Sequence, residues 1–213
     1  MIKAILWDND GVLVDTERLH FQATREILAR AGVDLTQDMF VEYLLKKGKS
    51  VWHLAVEKGT PPDQVGCMRE ERNARYSQLL HEENTVIEGV AETLPKLHQF
   101  AMGIVTTSRR EHFDIIHRAS GLLQYFAFIL TREDYEKAKP DPEPYLRGLE
   151  KTGVERNECI VIEDSKRGLT AATRAGLRCM VIPTALNRDD DFSEAYMVLD
   201  AITDVTPELL RNI

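Results

Sequence analysis

The chain has 213 residues, a formal net charge of −8, and 43% hydrophobic against 29% charged residues. That length holds one large domain, or one domain with a smaller insert, and the composition excludes a disordered or repetitive chain. The acidic balance argues against nucleic acid as a partner, because no basic block is present to displace counterions, but it leaves room for one small anion in a local positive pocket.

The N-terminus runs from Met1 through a short apolar stretch to Asp8 and Asp10, without the charged lead and long apolar segment of a signal peptide. Ile2–Trp7 is nearly continuous in apolar residues, the pattern of a strand covered on both faces. The segments that follow read as helices only: Glu17–Ala31, Asp38–Lys46, Ser50–Glu57 and Asp63–His81, the last two punctuated by Thr60-Pro61-Pro62. Further on, strand patterns recur at Met102–Thr106, Phe126–Leu130, Cys159–Glu163 and Cys179–Pro183, with a weaker one at Met197–Leu199.

Helix signals separate these strands. Ser108 followed by Glu111 predicts a capping box. Asp141-Pro142 predicts an N-cap with proline at the first helical position, and Gly32, Gly121, Gly153 and Gly176 predict left-handed C-caps. The alternation implies an α/β fold with a doubly wound parallel sheet. Thr16 to Val86 spans 71 residues, too long for an ordinary loop. The expected organisation is therefore an α/β core over 1–15 and 87–213, with an all-helical cap domain over 16–86. Ligands of open α/β sheets bind at the carboxyl ends of the strands, so the insert is expected to act as a lid there.

The longest apolar runs, Ala127–Leu130 and Met180–Pro183, are far too short to span a bilayer. Cys67, Cys159 and Cys179 are odd in number and widely spaced, which predicts reduced, buried thiols rather than disulfides or a zinc site. The expectation is a cytoplasmic protein without membrane or nucleic-acid partners, a monomer or weak dimer.

Four short motifs carry candidate chemistry. Asp8-Asn9-Asp10-Gly11 follows the first strand, where two carboxylates can converge on one cation while performing different roles; a polar turn is the alternative. Glu163-Asp164-Ser165 ends another strand and offers hard oxygen ligands suited to Mg²⁺; the alternative is a helix N-cap with Glu163 solvated. Lys139, in Lys139-Pro140-Asp141-Pro142, is placed to neutralise a carboxylate and phosphate oxygens, or else is a surface lysine before a helix. Thr106-Thr107-Ser108 runs from a strand into a helix start, where hydroxyls and backbone N–H groups make an anion site; the alternative is the Ser108 cap alone.

In this order the motifs resemble the haloacid dehalogenase-like superfamily of phosphohydrolases. They are most similar to its helical-cap branch, which includes phosphoglycolate phosphatase-like and β-phosphoglucomutase-like enzymes, and the resemblance covers essentially the whole chain. It implies a Rossmann-like core and Mg²⁺ as cofactor. It also implies that Asp8 is the nucleophile, forming an aspartyl-phosphate, and Asp10 the general acid and base. Thr106, Thr107 and Lys139 would hold phosphate; Asp8, the Asp10 backbone carbonyl, Glu163 and Asp164 would hold the metal, Glu163 directly or through water. Retention of Asp10 favours phosphate over carbon–halogen chemistry.

In the cap segment, His20 matches a histidine of the sugar phosphomutases, with a hinge or packing role as the alternative. Lys49 and Trp52 fall in Gly48-Lys49-Ser50-Val51-Trp52, which resembles a substrate loop. The mutases have an arginine after that serine, where this chain has Val51, and Lys49 lacks arginine's bidentate fork. The expected function is hydrolysis of a small phosphorylated metabolite of the sugar-phosphate or phosphoglycolate type. The alternatives are a β-phosphoglucomutase-like mutase and, remotely, a non-enzymatic phospho-acceptor signalling domain, whose acids and acceptor come in a different order.

Overall fold

Strand β1 (Ala4–Trp7) is buried at every residue, as a strand covered on both faces must be. It lies in the middle of a six-stranded sheet with β2 (Ala101–Val105), β3 (Phe128–Leu130), β4 (Cys159–Glu163), β5 (Arg178–Val181) and β6 (Met197–Val198), ordered β3-β2-β1-β4-β5-β6. Every pairing is parallel. The order runs outward on both sides of β1, the doubly wound arrangement expected from the sequence. Trp7 pairs with Ile104 on one side and Ile162 on the other, so the residues following β1, β2 and β4 emerge at one edge of the sheet.

The computed structural model describes residues 1–213, which divide into two compact units, Met1–Asp15 with Thr85–Ile213 and Thr16–Asn84. The second unit is helical throughout. It contains α1 (Glu17–Arg30), α2 (Gln37–Phe40) continuing into a π-helical stretch at Val41–Lys46, α3 (His53–Glu57) and α4 (Val65–Glu82). Its core gathers Ile27, Leu28, Val33, Leu35, Phe40, Val51, Trp52 and Ala55. Within the first unit, the two chain crossings to this helical segment run side by side. Val14 bridges Val86, and the Asp15 N–H donates to the Thr85 carbonyl at 2.7 Å.

The α/β unit adds α5 (Val90–Thr93), α6 (Arg110–His117), α7 (Glu143–Thr152), α8 (Lys166–Arg174) and α9 (Pro207–Arg211). Helix α7 lies close to the sheet: a Cβ on Gly148 would come 2.9 Å from Val105 and 3.0 Å from Leu6. Gly153 ends α7 at φ 68, the left-handed cap predicted for it. The Asp141 side chain accepts from the Glu143 N–H at 3.0 Å, although the helix starts at Glu143, one residue later than proline at the first position implies.

Two local expectations are corrected. Ser108 does not cap α6, whose N-cap is Arg109 without a side-chain bond. The Ser108 hydroxyl is drawn to Asp10 instead, and Glu133 accepts from the Arg110 N–H at 3.0 Å, so a residue from another loop serves that helix start. Cys159 and Cys179 are buried as expected, but Cys67 is exposed. It lies in the N-terminal half of α4, a helix whose buried residues, Tyr76, Leu79 and Leu80, all fall in its second half. No helix is long and apolar enough to cross a membrane.

Candidate active site

The parallel register brings the sequence motifs to one edge of the sheet. The Asp8 N–H donates to the Ile162 carbonyl at 2.9 Å and the Thr106 N–H to the Leu130 carbonyl at 2.9 Å, so both residues leave the sheet still locked to it. Glu163 is the last residue of β4, with Asp164 next. The carboxyl edges of β1, β2 and β4 therefore carry Asp8, Thr106 and the Glu163-Asp164 pair.

Lys139 joins them from the segment before α7. Its ammonium lies 2.6 Å from Asp8 Oδ1, 2.8 Å from Glu163 Oε1 and 2.9 Å from the Val105 carbonyl, with the residue 5% exposed. All three ammonium protons thus have partners, and the Tyr145 ring centroid lies 4.6 Å from the same nitrogen. Burial works against charging Lys139, but Asp8 and Glu163 more than reverse that and hold it above the ordinary lysine value. Burial, with Glu163 and Asp10 adding to it, raises Asp8 above the ordinary carboxylate value against the opposing pull of Lys139. The surface-lysine alternative is excluded by this burial.

Glu163 is fully buried and accepts from five donors. Oε1 takes Lys139 Nζ and the Tyr145 hydroxyl at 2.6 Å. Oε2 takes the Asp164 N–H at 3.1 Å, the Ser165 N–H at 3.2 Å and the Ser165 hydroxyl at 3.0 Å. Burial alone would raise the Glu163 carboxyl, yet Lys139 and the hydrogen bonds hold it below the ordinary range. A Cβ on Gly168 would fall 1.7 Å from Glu163 Oε1, so glycine there makes room for the carboxylate. Ser165 also caps α8 by accepting from the Gly168 N–H at 3.1 Å, so its hydroxyl serves both the cap and Glu163.

Carboxylate oxygens of Asp8, Glu163 and Asp164 all lie within 4.8 Å of one another, a donor set that fits a hard divalent cation. With Glu163 Oε1 and Oε2 both engaged by donors, Asp8 and Asp164 are the carboxylates best suited to face an ion. Gly11 belongs to the same construction: at φ +85 it lies so near Asp164 that a Cβ would come 2.3 Å from Oδ2. Asn187 steadies Asp164 from the other side, donating to its carbonyl at 3.0 Å and to Oδ2 at 3.2 Å.

The carboxylate of Asp10 has hydrogen-bond partners of its own. Its Oδ2 accepts from the Ser108 hydroxyl at 2.8 Å, the Thr106 hydroxyl at 3.1 Å and Asn9 Nδ2 at 3.4 Å. The two aspartates thus occupy different surroundings despite being two residues apart. Thr106 is fully buried, and its carbonyl accepts from the Tyr135 hydroxyl at 2.6 Å, while Thr107 is exposed at the same strand end.

The remaining expected residues, His20, Lys49 and Trp52, belong to the helical unit. The His20 ring packs edge-on between Phe40 at 5.6 Å and Tyr76 at 5.3 Å. Trp52 is 6% exposed and Val51 1%, both in the core of the unit, while Lys49 is exposed. The Ser50 hydroxyl accepts from Arg69 Nη2 at 3.2 Å, which brings a guanidinium to this loop.

Tyr145, Asn187, Ser108 as a partner of Asp10, and His117 escaped the sequence reading. For Tyr145 and Asn187 the sequence carries no signal, since each meets its partner only through tertiary packing. His117 did leave a trace: it lies on the buried face of α6 with Phe113 and Ile116.

A family model described as haloacid dehalogenase-like hydrolase matches residues 5–182. The chain is 31% identical to a phosphorylated carbohydrates phosphatase of Thermotoga maritima, over 100% of this chain and 98% of that protein. Among solved structures it is similar to CbbY from Rhodobacter sphaeroides, crystallised as a variant with xylulose-(1,5)-bisphosphate, at 26% identity and TM-score 0.81 over 96% of both chains. A β-phosphoglucomutase from Clostridium difficile shares the fold at TM-score 0.83 and 24% identity, over 100% of this chain and 96% of that one. The chain belongs to the haloacid dehalogenase-like hydrolase family and is an enzyme of its phosphatase-bearing branch.

Proposed function

We propose that the chain is a magnesium-dependent phosphatase that hydrolyses a small phosphorylated metabolite, of the sugar-phosphate type, through a phosphoryl group carried on Asp8. The observation that carries this reading is the buried ammonium of Lys139 held 2.6 Å from Asp8 Oδ1, beside the carboxylates of Glu163 and Asp164. The phosphorylated carbohydrates phosphatase among its relatives supports the substrate class.

In this reading Asp8 attacks phosphorus, its Oδ–P bond forms, and the bond from phosphorus to the leaving oxygen breaks while Asp10 supplies that oxygen with a proton. Water then attacks the phosphorylated Asp8, Asp10 takes its proton, and the Oδ–P bond breaks to release phosphate. Lys139 and the Thr106-Thr107 turn hold phosphoryl oxygens through both steps. Asp8 and Asp164, with the Asp10 carbonyl, would hold magnesium, and Glu163 orients Lys139. Magnesium, when bound, supplies positive charge that offsets the repulsion between the Asp8 carboxylate and the phosphate. The helical unit Thr16–Asn84 is read as the substrate-selecting cap.

Val51 favours hydrolysis over the mutase reaction, since the position that carries arginine in mutases is buried in the core of the helical unit here. Arg69 beside Ser50 keeps a second phosphate in view, so the test includes bisphosphates. Phosphate release is measured over a panel of sugar phosphates, sugar bisphosphates and phosphoglycolate, with Mg²⁺ and with EDTA, for wild type and Asp8→Asn. Turnover that needs both Mg²⁺ and Asp8 supports the reading; turnover surviving Asp8→Asn sinks it. Conversion of glucose 1-phosphate with a bisphosphate primer, without net phosphate release, would favour the mutase.

A further inference from the structure

Asn9 stands between the two aspartates and is fully buried, an unusual place for an amide unless both of its ends are satisfied. One end meets His117, 108 residues away in sequence, whose Nε2 lies 2.7 Å from Asn9 Oδ1. The other end, Nδ2, lies 3.4 Å from Asp10 Oδ2. His117 is 4% exposed at the end of α6, tilted against the Phe113 ring at 4.4 Å between centroids, and its Nδ1 lies 3.1 Å from the Ser120 hydroxyl.

The hydrogen-bond roles in this chain follow from elimination. Burial pushes His117 down to about 4, against a weaker opposing pull from Asp10, so the ring is neutral near pH 7 and has one N–H. If that proton were on Nδ1, Nε2 would have to accept from the Asn9 amide, turning Asn9 Oδ1 toward Asp10 Oδ2, the oxygen that already accepts from the Thr106 and Ser108 hydroxyls. The proton on Nε2 removes the conflict: Nε2–H donates to Asn9 Oδ1, Asn9 Nδ2 faces Asp10, and the Ser120 hydroxyl, which also lies 3.3 Å from the His117 carbonyl, turns its proton to Nδ1 at 3.1 Å. An apolar pair of the same shape would serve packing alone about as well.

We propose that His117 and Asn9 form a buried positioning pair that fixes the Asp10 carboxylate and thereby controls proton delivery to the leaving group. His117 touches no substrate atom; it acts through Asn9, and Asn9 joins Thr106 and Ser108 in setting the angle of the carboxylate. The proposal rests on the phosphatase reading and on Asp10 as its acid.

Two aryl phosphates separate the effect from general damage. p-Nitrophenolate leaves without a proton, whereas the more basic phenolate benefits from one, so the kcat/KM ratio of p-nitrophenyl to phenyl phosphate reports proton delivery. Both values come from one protein preparation, so a reduced active fraction cancels from the ratio.

The ratio is expected to rise about tenfold in His117→Phe, part of the usual contribution of a general acid. Asn9→Leu should raise it alike, the double variant no further, and His117→Gln, which keeps a donor for Asn9, should return it toward wild type. Asp10→Asn sets the upper limit. An unchanged ratio in both single variants, with a raised ratio in Asp10→Asn, overturns the positioning role alone. An unchanged ratio in Asp10→Asn as well removes Asp10 as the acid, and this inference with it.

Discussion

Tyr145 and Glu163 meet in a hydrogen bond of 2.6 Å beneath the Lys139 ammonium, both fully buried, with the tyrosine hydroxyl donating to Oε1. Burial comes first, and Glu163 second, in holding the Tyr145 hydroxyl well above its ordinary value, so the phenol stays protonated and remains a donor. The pair forms the floor on which Lys139 is aimed at Asp8.

Lys139→Met should be costly twice over. It leaves Asp8 and Glu163 buried without their shared cation, and breaking a buried ion pair from one side typically costs about 3–5 kcal/mol. Urea denaturation at pH 7 reads that loss, and kcat should fall by about 10²–10³-fold, as when a transition-state donor is removed. A variant with wild-type stability would mean that the buried charges are not coupled as the distances imply.

Glu163→Gln and Asp164→Asn should separate under magnesium titration of activity. Asp164→Asn is expected to raise the half-saturating magnesium concentration by at least about tenfold, the usual scale for damage to a metal site. Glu163→Gln should lower kcat and move the magnesium dependence much less, because its oxygens face Lys139, Tyr145 and Ser165. Equal shifts in the two variants would make Glu163 a direct ligand after all.

Gly11→Ala and Gly32→Ala differ in what a methyl group meets. Both glycines have positive φ, but Gly32 has nothing within 4 Å of an added Cβ, whereas Gly11 would drive one to 2.3 Å from Asp164 Oδ2. Gly32→Ala should cost only backbone strain, about 1 kcal/mol. Gly11→Ala should add a weaker magnesium dependence, measured by the same titration, and the contrast fails if both variants behave alike.

His117 predicts the acid side of the stability profile. Its value falls from 6.5 to about 4 on folding, so between those limits the unfolded chain binds more protons than the native one. Its share of stability is therefore intact above pH 6.5 and declines as pH falls toward 4, by up to on the order of 3 kcal/mol. The slope of unfolding free energy against pH over this window should be shallower in His117→Phe than in wild type, and unchanged slopes would contradict the buried neutral ring.

The fold was legible because its signals are local. Unbroken apolar runs such as Cys159–Glu163 are the mark of doubly covered strands, and that strand appears with those bounds. Turn residues at the strand ends marked where chemistry-bearing side chains emerge, since a parallel sheet delivers every such end to one edge. Ser108 was misread because a serine before a helix has the same local signature whether its hydroxyl caps the helix or reaches a carboxylate 98 positions earlier. The exposure of Cys67 was missed because a residue type does not reveal which face of α4 it occupies.

The sequence by itself marked the strand segments along the chain, the helical stretch between the first two and Asp8, Asp10, Lys139, Glu163 and Asp164 as candidate site residues, because spacing and apolar patterning act over a few residues. Only the tertiary structure decided how those residues are shared. It gave Glu163 to Lys139 and Tyr145, turned Ser108 toward Asp10, put Trp52 in a core and joined Asn9 to His117. The physical reason is that a buried donor or acceptor takes whichever partner packing brings within about 3 Å, and that choice depends on contacts among distant parts of the chain.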